Sequence, residues 1–171
     1  RVNPKRFPRR LADLKAAADR IRAAGLGFSL HTLTCYIDYG DEWVTPKVHP
    51  DLIAIHRYTL AEPVTDASAE IVVNEEPGPR HGTPDKPSLF GNILDIGGEL
   101  IKYKDIRREK PYAFTGIERG WNKTVKADHP AGAGVKFLQN RNFSFFPEPD
   151  SKLAVDLADA DQRALEGRLA L

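Results

Sequence analysis

Two polar side chains, His31 and Thr32, directly follow a short uncharged run at residues 26–30. An apolar run of this length is typical of a strand that is covered on both faces. Many α/β enzymes place their chemistry at the end of such a strand, where an imidazole can hydrogen-bond a substrate or orient a carboxylate. The sequence also allows a buried histidine that is satisfied by a neighbouring group.

Aromatic and acidic side chains follow in residues 36–50, where Gly40, Pro46 and Pro50 indicate a loop. An aromatic ring can stack on the apolar face of a sugar, and carboxylates can accept hydrogen bonds from the sugar hydroxyl groups. Together with the strand end, this gives the candidate substrate-binding residues His31, Thr32, Tyr36, Asp38, Asp41 and Trp43. The alternative is that Trp43 fills a joint between two parts of the protein while the acids are solvated.

A third group of polar residues lies within a pattern of short β runs. Its members are Glu99, Tyr103, Arg119, Thr124 and His129. Because Arg119 precedes Gly120, we expect its side chain to lie beside a tight turn and to pair with Glu99. We interpret the group as structural hydrogen bonding inside a small module.

The sequence does not predict metal or cofactor chemistry. The histidines lack the short spacing of metal ligands, and the chain has a single cysteine, Cys35. No glycine-rich phosphate-binding loop follows a strand, so we expect no metal and no cofactor. Glycoside hydrolysis needs two carboxyl groups roughly 5–10 Å apart. We find no convincing pair, so the catalytic residues stay unassigned.

Composition narrows the range of partners. The chain has 171 residues, enough for one full domain or two small ones, and a net charge of +1. With so little net charge, we expect neither nucleic acid nor a membrane surface as a partner. The chain opens on Arg1 and contains no Met, so we expect an internal piece or a processed product.

Helices are predicted near both ends of the chain. Apolar residues at helical spacing predict a helix over residues 8–24 that ends at Gly25 and leads into the strand at residues 26–30. The last helix is predicted to begin at Asp159, with Gln162 as its capping-box partner.

The middle of the chain has a different period. Between residues 56 and 138, short β runs separated by turns, notably Gly97-Gly98, predict an antiparallel β module. The proline- and glycine-rich stretch 75–88 within it predicts a mobile loop.

The stretch 3–32 resembles the helix–strand step of α-galactosidase-like (β/α)8 glycoside hydrolases. The matched positions are Phe7, Pro8, Leu11, Leu14, Gly25, Leu26 and Leu30, and the departures are Arg10 and Gly27. The resemblance implies an α+β fold class, namely a partial (β/α)8-barrel segment with an inserted antiparallel β module. It also implies a bacterial, secreted or periplasmic protein whose strand ends form the active face and whose catalytic acids lie on later strands.

A second stretch, residues 93–135, resembles small β modules found in the same barrel family and in phage-tail and cell-surface proteins. The matched positions are Ile96, Gly97, Glu99, Ile101, Tyr103, Arg119, Gly120, Thr124, His129, Gly132 and Val135. This resemblance concerns the fold and implies no particular chemistry.

These observations predict three parts: residues 1–50 as a barrel segment, 51–140 as the inserted β module and 141–171 as the return to the barrel. The predicted function is that of a segment of a glycoside-hydrolase-like protein that takes carbohydrate as its partner. The remainder of the barrel, or another chain, would complete it. The alternative is that the β module is itself the functional unit, as a non-catalytic surface or carbohydrate-binding module.

Overall fold

The computed structural model describes residues 5–9, 11–28, 35–83 and 90–169. The chain divides into two compact units, one formed by Arg1–Cys35 with Ala154–Leu171 and the other by Tyr36–Leu153. The sequence predicts residues 51 and 140 as the limits of the β module.

The described residues form two α-helices, a short 3₁₀-helix and ten strands. The helices are α1 Leu11–Ala23, the 3₁₀-helix Trp121–Lys123 and α2 Lys152–Leu169. The strands are β1 Ile37–Asp38, β2 Ala54–Thr59, β3 Glu70–Val73, β4 Ile93–Ile96, β5 Glu99–Lys102, β6 Asp105–Arg107, β7 Tyr112–Thr115, β8 Gly134–Leu138, β9 Asn140–Arg141 and β10 Ser144–Phe145.

Helix α1 confirms the helix expected near the start of the chain. In its first turn, the carboxylate of Asp13 accepts hydrogen bonds from the main-chain N–H of Arg9 at 2.8 Å and from its Nε at 2.7 Å. The helix is followed by Gly25 at a φ of +73°. This left-handed conformation favours glycine and ends the helix where the sequence predicted.

The strand expected at residues 26–30 is absent from its described part. Residues 26–28 have no regular structure, and Leu26 is 64% exposed. The rest of this run, with Ser29 and Leu30, lies outside the described residues. A short apolar run forms a strand only when a neighbouring strand supplies hydrogen-bond partners, and residues 26–28 have no such pairing.

Helix α2 begins earlier than the sequence predicted. Its first residue is Lys152, so Asp159 lies inside the helix and does not cap it. The intervening segment is rich in good helix formers such as leucine and alanine, which extends the helix towards its N-terminus. Within the described residues, no helix has both the length and the apolar character that a membrane crossing requires.

Three antiparallel sheets form the second unit. Their strand orders are β1-β10-β9, β2-β8-β4-β5 and β3-β7-β6. A (β/α)8 barrel needs parallel strands with a helix between successive strands, so the expected α+β partial barrel is wrong. The described part of the chain is a small β-rich protein with two α-helices. The helix–glycine–apolar pattern that suggested a barrel is local and carries no information about the direction of neighbouring strands.

One apolar core is shared by the four-stranded sheet and the β3-β7-β6 sheet. Its buried members are Tyr58, Leu60, Val64, Ile71, Val73, Leu94, Ile96, Ile101, Tyr103, Phe114, Val135 and Phe137. Alternate residues of a strand point to the same face, which is why Leu94 and Ile96 of β4 both contribute. An isolated bridge connects Leu60, which follows β2, with Val73 of β3, and so links the two sheets. A second bridge connects Lys102 of β5 with Glu118, which follows β7.

The prediction of antiparallel β structure between residues 56 and 138 is confirmed. Gly97 and Gly98 join β4 to β5 with φ values of +61° and +96°, the conformation that tight hairpins take. The described part of the expected loop, residues 75–83, has no regular structure. Its residue His81 is nevertheless only 6% exposed, because turn-forming composition excludes strand and helix but not burial.

Candidate binding surface

Three aromatic side chains, Tyr39, Trp121 and Phe143, meet at the surface of the β unit. The ring centroid of Tyr39 lies 4.9 Å from that of Trp121 and 6.2 Å from that of Phe143. Both contacts are edge-to-face, a favoured geometry for aromatic pairs. Phe143 is 77% exposed, and the other two side chains are half-buried. We call these three residues the aromatic patch.

Tyr39 is anchored at both ends. Its ring packs on buried Phe145 of β10, with centroids 5.1 Å apart. Its hydroxyl accepts a hydrogen bond from Asn140 Nδ2 at 2.9 Å, and its carbonyl oxygen accepts one from Asn122 Nδ2 at 2.5 Å. Burial raises the pKa of Tyr39 to about 12, so the hydroxyl is neutral at neutral pH.

Trp121 is placed by the turn that precedes it and by the residue that follows its 3₁₀-helix. Gly120 has a φ of +62°, which allows the sharp entry into this helix. Thr124 Oγ1 donates to the carbonyl oxygen of Trp121 at 2.9 Å and accepts from the main-chain N–H of Leu100 at 2.9 Å. Lys102 Nζ lies 5.7 Å from the indole centroid, within the range of a cation–π contact.

Phe143 occupies the tip of the β9–β10 hairpin. Arg141 pairs with Ser144, and the two residues between them, Asn142 and Phe143, have φ values of +53° and +63°. Tight hairpins of this kind favour asparagine followed by glycine. Holding a phenylalanine in this left-handed conformation costs about 1–2 kcal/mol relative to the right-handed one. Because the ring is exposed, burial of apolar surface does not offset this cost.

Asp38 and Asp41 form the turn that carries Tyr39. Asp38 Oδ1 accepts a hydrogen bond from the main-chain N–H of Gly40 at 2.8 Å, and Asp41 Oδ2 accepts one from the main-chain N–H of Asp38 at 2.9 Å. Both side chains, which the sequence analysis assigned to substrate, therefore shape the loop beside the aromatic patch.

The other predicted substrate-binding residues are not part of the patch. The ring of Tyr36 contacts that of Phe146, with centroids 4.9 Å apart. Trp43 is half-buried. His31 and Thr32 lie outside the described residues.

The expected pair of Glu99 and Arg119 is present, and it forms the centre of a buried cluster. Arg119 donates to both carboxylate oxygens of Glu99, at 2.6 and 2.8 Å, and His129 Nε2 lies 2.9 Å from Oε2. Main-chain N–H groups of Gly120 and Ala127 also donate to this carboxylate. Burial by itself would raise the pKa of Glu99, but the hydrogen bonds from Arg119 and His129 outweigh it and lower the pKa.

Asp95 is the second buried carboxylate among the described residues. Its Oδ1 accepts a hydrogen bond from the main-chain N–H of Gly98 at 2.8 Å, which closes the β4–β5 turn. Burial raises the pKa of Asp95. Both buried carboxylates are thus held by the fold. Within the described residues, no group of three or more histidine, cysteine or acidic side chains is placed to hold a metal ion.

A buried tyrosine–histidine–tyrosine chain lies in the core. The Tyr58 hydroxyl is 2.5 Å from His81 Nε2, and the Tyr103 hydroxyl is 2.9 Å from His81 Nδ1. Burial is the main cause that lowers the pKa of His81 to about 3, and the electrostatic interactions with His56 and Arg108 add to it. The imidazole is therefore neutral at neutral pH.

Sequence reasoning missed Trp121, Phe143 and the role of His81. One local feature could have indicated that Phe143 lies at a hairpin tip. It is the preceding Asn142, because asparagine tolerates the positive φ of a tight turn between two β runs. Trp121 lies within the matched β pattern, between Gly120 and Thr124, but no local feature indicates which ring it meets.

Comparison of the chain with protein-family models, curated proteins and solved structures found no match. No family model therefore supports membership of the α-galactosidase-like glycoside hydrolases, and the antiparallel sheets contradict a (β/α)8 barrel. The interpretation of this chain as part of a TIM-barrel glycoside hydrolase is wrong.

Proposed function

We propose that this chain is a non-catalytic carbohydrate-binding module and that the aromatic patch is its contact surface. The observation that carries the proposal is Phe143, which is 77% exposed while it holds a φ of +63°. Strained positions of this kind concentrate at sites that function requires. The exposed ring of Phe143 contributes little to the folded core, so we attribute its presence to contact with a ligand.

The chemistry of the patch suits a sugar. Its rings offer flat apolar faces, and polar groups stand beside them: exposed Asn142 next to Phe143, and the Lys102 ammonium over Trp121. A sugar ring has an apolar face and a rim of hydroxyl groups, so it can use both kinds of contact. A purely apolar ligand would leave the polar groups without partners.

The absence of a role in catalysis is inferred from the acids. Glycoside cleavage needs two carboxyl groups that face the bond. Glu99 and Asp95 are buried and hydrogen-bonded within the fold, and Asp38 and Asp41 bond main-chain N–H groups of their own loop. Because these four carboxylates hold the fold together, we assign the aromatic patch to binding and not to catalysis.

Fluorescence of Trp121 reports on the proposed contact directly. The chain has two tryptophans, so Trp43→Phe leaves Trp121 as the only indole. Titration with soluble glucans, mannans, xylans, galactans and chitin oligosaccharides should change its emission with at least one of them. In affinity electrophoresis, the same saccharide should retard the unaltered chain, and Trp121→Ala should weaken this binding about tenfold or more.

Two variants of Phe143 separate binding from folding. Phe143→Gly and Phe143→Ala both remove the ring, so both should weaken binding about tenfold or more. Because glycine tolerates positive φ and alanine does not, the glycine variant should be more stable in urea by about 1 kcal/mol. Val155→Ala, at a position that is 55% exposed on α2, is the control and should leave the affinity unchanged.

Three results would contradict the proposal. The first is that no saccharide of the panel binds, and the second is that Val155→Ala weakens binding as much as the Phe143 variants. The third is that both Phe143 variants bind as well as the unaltered chain, which would exclude the aromatic patch as the contact surface.

A further inference from the structure

The segment of residues 77–83 closes over the core although it forms neither a helix nor a strand. Pro77, His81 and Gly82 are all buried in it. We call this segment the strap. Its burial needs an explanation, because an irregular backbone packs into a core only where side chains and main-chain partners hold it there.

His81 is the deepest attachment of the strap. Its ring stacks on that of Phe137, with centroids 3.8 Å apart, and also contacts Phe114 at 5.1 Å. Its two nitrogens bond the hydroxyls of Tyr58 and Tyr103. A neutral imidazole has one donor and one acceptor, and each hydroxyl can serve as either, so the neutral ring satisfies both contacts.

The groups around His81 would not stabilise a positive charge on its ring. Strand β2 presents His56 and Tyr58, the end of β5 leads to Tyr103, and Arg108 follows β6. None of these titratable or charged groups is acidic, and Arg108 is itself positive. The rings from β7 and β8 are phenylalanines. A protonated His81 would therefore be buried without a counter-ion, which is strongly unfavourable.

The strap has further attachments: the guanidinium of Arg80 lies over the ring of Phe90, 5.6 Å from its centroid, and the main chain is held by hydrogen bonds near both ends. Arg108 Nη1 donates to the carbonyl oxygens of Pro77 and Gly78, and the main-chain N–H of Gly82 donates to the carbonyl oxygen of Gly91 at 3.0 Å. These hydrogen bonds involve no group that changes its charge between pH 7 and pH 5. The imidazoles at the strap are His81 itself and His56, whose ring stacks on that of His81 with centroids 5.9 Å apart, so a variant of each is needed to separate their effects.

We propose that the strap is an acid-released latch, in which protonation of His81 frees residues 77–83 from the core and uncovers the aromatic side chains beneath. This inference is independent of the proposed sugar binding, because it uses none of the residues of the aromatic patch. The closed strap holds the ring neutral, whereas the open strap lets the ring take up a proton at the usual histidine pKa. The opening equilibrium therefore rises about tenfold for each pH unit below about 6.5.

Amide hydrogen exchange of the full chain, followed by NMR between pH 7.5 and pH 5.0, tests the latch. Protection factors of the strap amides should fall about 30-fold over this range once intrinsic exchange rates are corrected for. Amides of β4 and β5, which form the core hairpin, should be more strongly protected than the strap amides at every pH, because opening of the strap is local and does not require the hairpin to unfold.

Two variants identify the titrating group. His81→Gln supplies a donor and an acceptor but cannot gain a proton, so its strap protection should not change with pH. His56→Gln should lose strap protection as the unaltered chain does. The latch is excluded if strap protection is constant in the unaltered chain or if His81→Gln loses it equally. It is also excluded if the strap amides are as strongly protected as those of β4 and β5, because the strap would then open only when the whole unit unfolds.

A direct titration covers the case in which His81→Gln does not fold. The ring ¹H and ¹³C shifts of His81 in the unaltered chain should show a pKa far below 6.5. A value near 6.5 would show that the closed core accepts the charge and would overturn the proposal.

Discussion

At the scale of single residues, the buried carboxylate of Glu99 shows how much depends on complete hydrogen bonding. It receives a guanidinium, an imidazole and two main-chain N–H groups. Arg119 also donates to the carbonyl oxygens of Thr65 and Ala127. The cluster therefore ties three separate stretches of chain to β5.

Arg119→Ala should lower the free energy of unfolding by about 3–5 kcal/mol, because it leaves the Glu99 charge buried without its main partner. The side chains of Arg119 and Glu99 are only 6% and 1% exposed, so solvent cannot replace the guanidinium. Urea unfolding followed by circular dichroism measures the loss.

Arg107→Ala is the matched control for this prediction. Arg107 forms a bidentate ion pair with Glu70, with both N···O distances at 2.9 Å. Both side chains are more than a third exposed. Exposed pairs contribute little, so stability should hardly change. Equal losses in the two variants would show that burial does not set the strength of the Glu99 cluster.

At the scale of elements, the β4–β5 hairpin depends on its two-glycine turn. Gly98 adopts a φ of +96°, a region that side chains rarely enter. Its N–H also bonds Asp95 of the preceding strand. The turn and the buried carboxylate thus form one local unit.

Gly98→Ala should destabilise the protein by about 1–3 kcal/mol, since alanine resists this backbone conformation. An added Cβ would also lie 2.7 Å from Lys47 Cγ, although that flexible side chain can move aside. Thermal unfolding measures the effect.

Gly134→Ala provides the comparison for the turn. This glycine begins β8, and an added Cβ would meet no atom within 4 Å. We expect a change within about 0.5 kcal/mol in either direction. A loss as large as that of Gly98→Ala would mean that the strained turn is not the cause.

At the scale of the whole molecule, acid should weaken the fold in two stages. The folded pKa of His81, about 3, is below its unfolded value of 6.5. The unfolded chain therefore binds the proton first, so stability is complete above pH 6.5 and falls as the pH drops. The slope approaches about 1.4 kcal/mol per pH unit. Glu99 has a pKa lowered from 4.5, so its contribution is lost only below that pH.

Urea unfolding at pH 7.5, 6.0, 5.0 and 3.5 checks this order. His81→Gln should flatten the decline between pH 6.5 and pH 4.5 and leave the later one in place. Asp95, whose pKa is raised by burial, acts in the opposite direction, because the folded chain binds its proton before the unfolded chain does. It is present in both chains and does not change the comparison. A decline of equal slope in the variant would assign the pH dependence to another group.

Several features of the fold were predictable because they depend on neighbours in the sequence. Helix α1, its glycine stop, the antiparallel β structure of residues 56–138 and the Gly97-Gly98 turn all follow from local spacing and turn chemistry. The barrel interpretation was wrong because it assumed that residues 26–28 pair with a neighbouring strand. In the structure these three residues belong to no strand.

The sequence by itself determined the β-rich middle of the chain and the residue types of its polar cluster, because alternation and turn residues act over a few positions. Only the tertiary structure decided that Tyr39, Trp121 and Phe143 meet, since their rings come from three distant segments. It also decided that His81 is buried between two tyrosines. Burial and ring contacts depend on which distant strands pack together, and no local pattern encodes that choice.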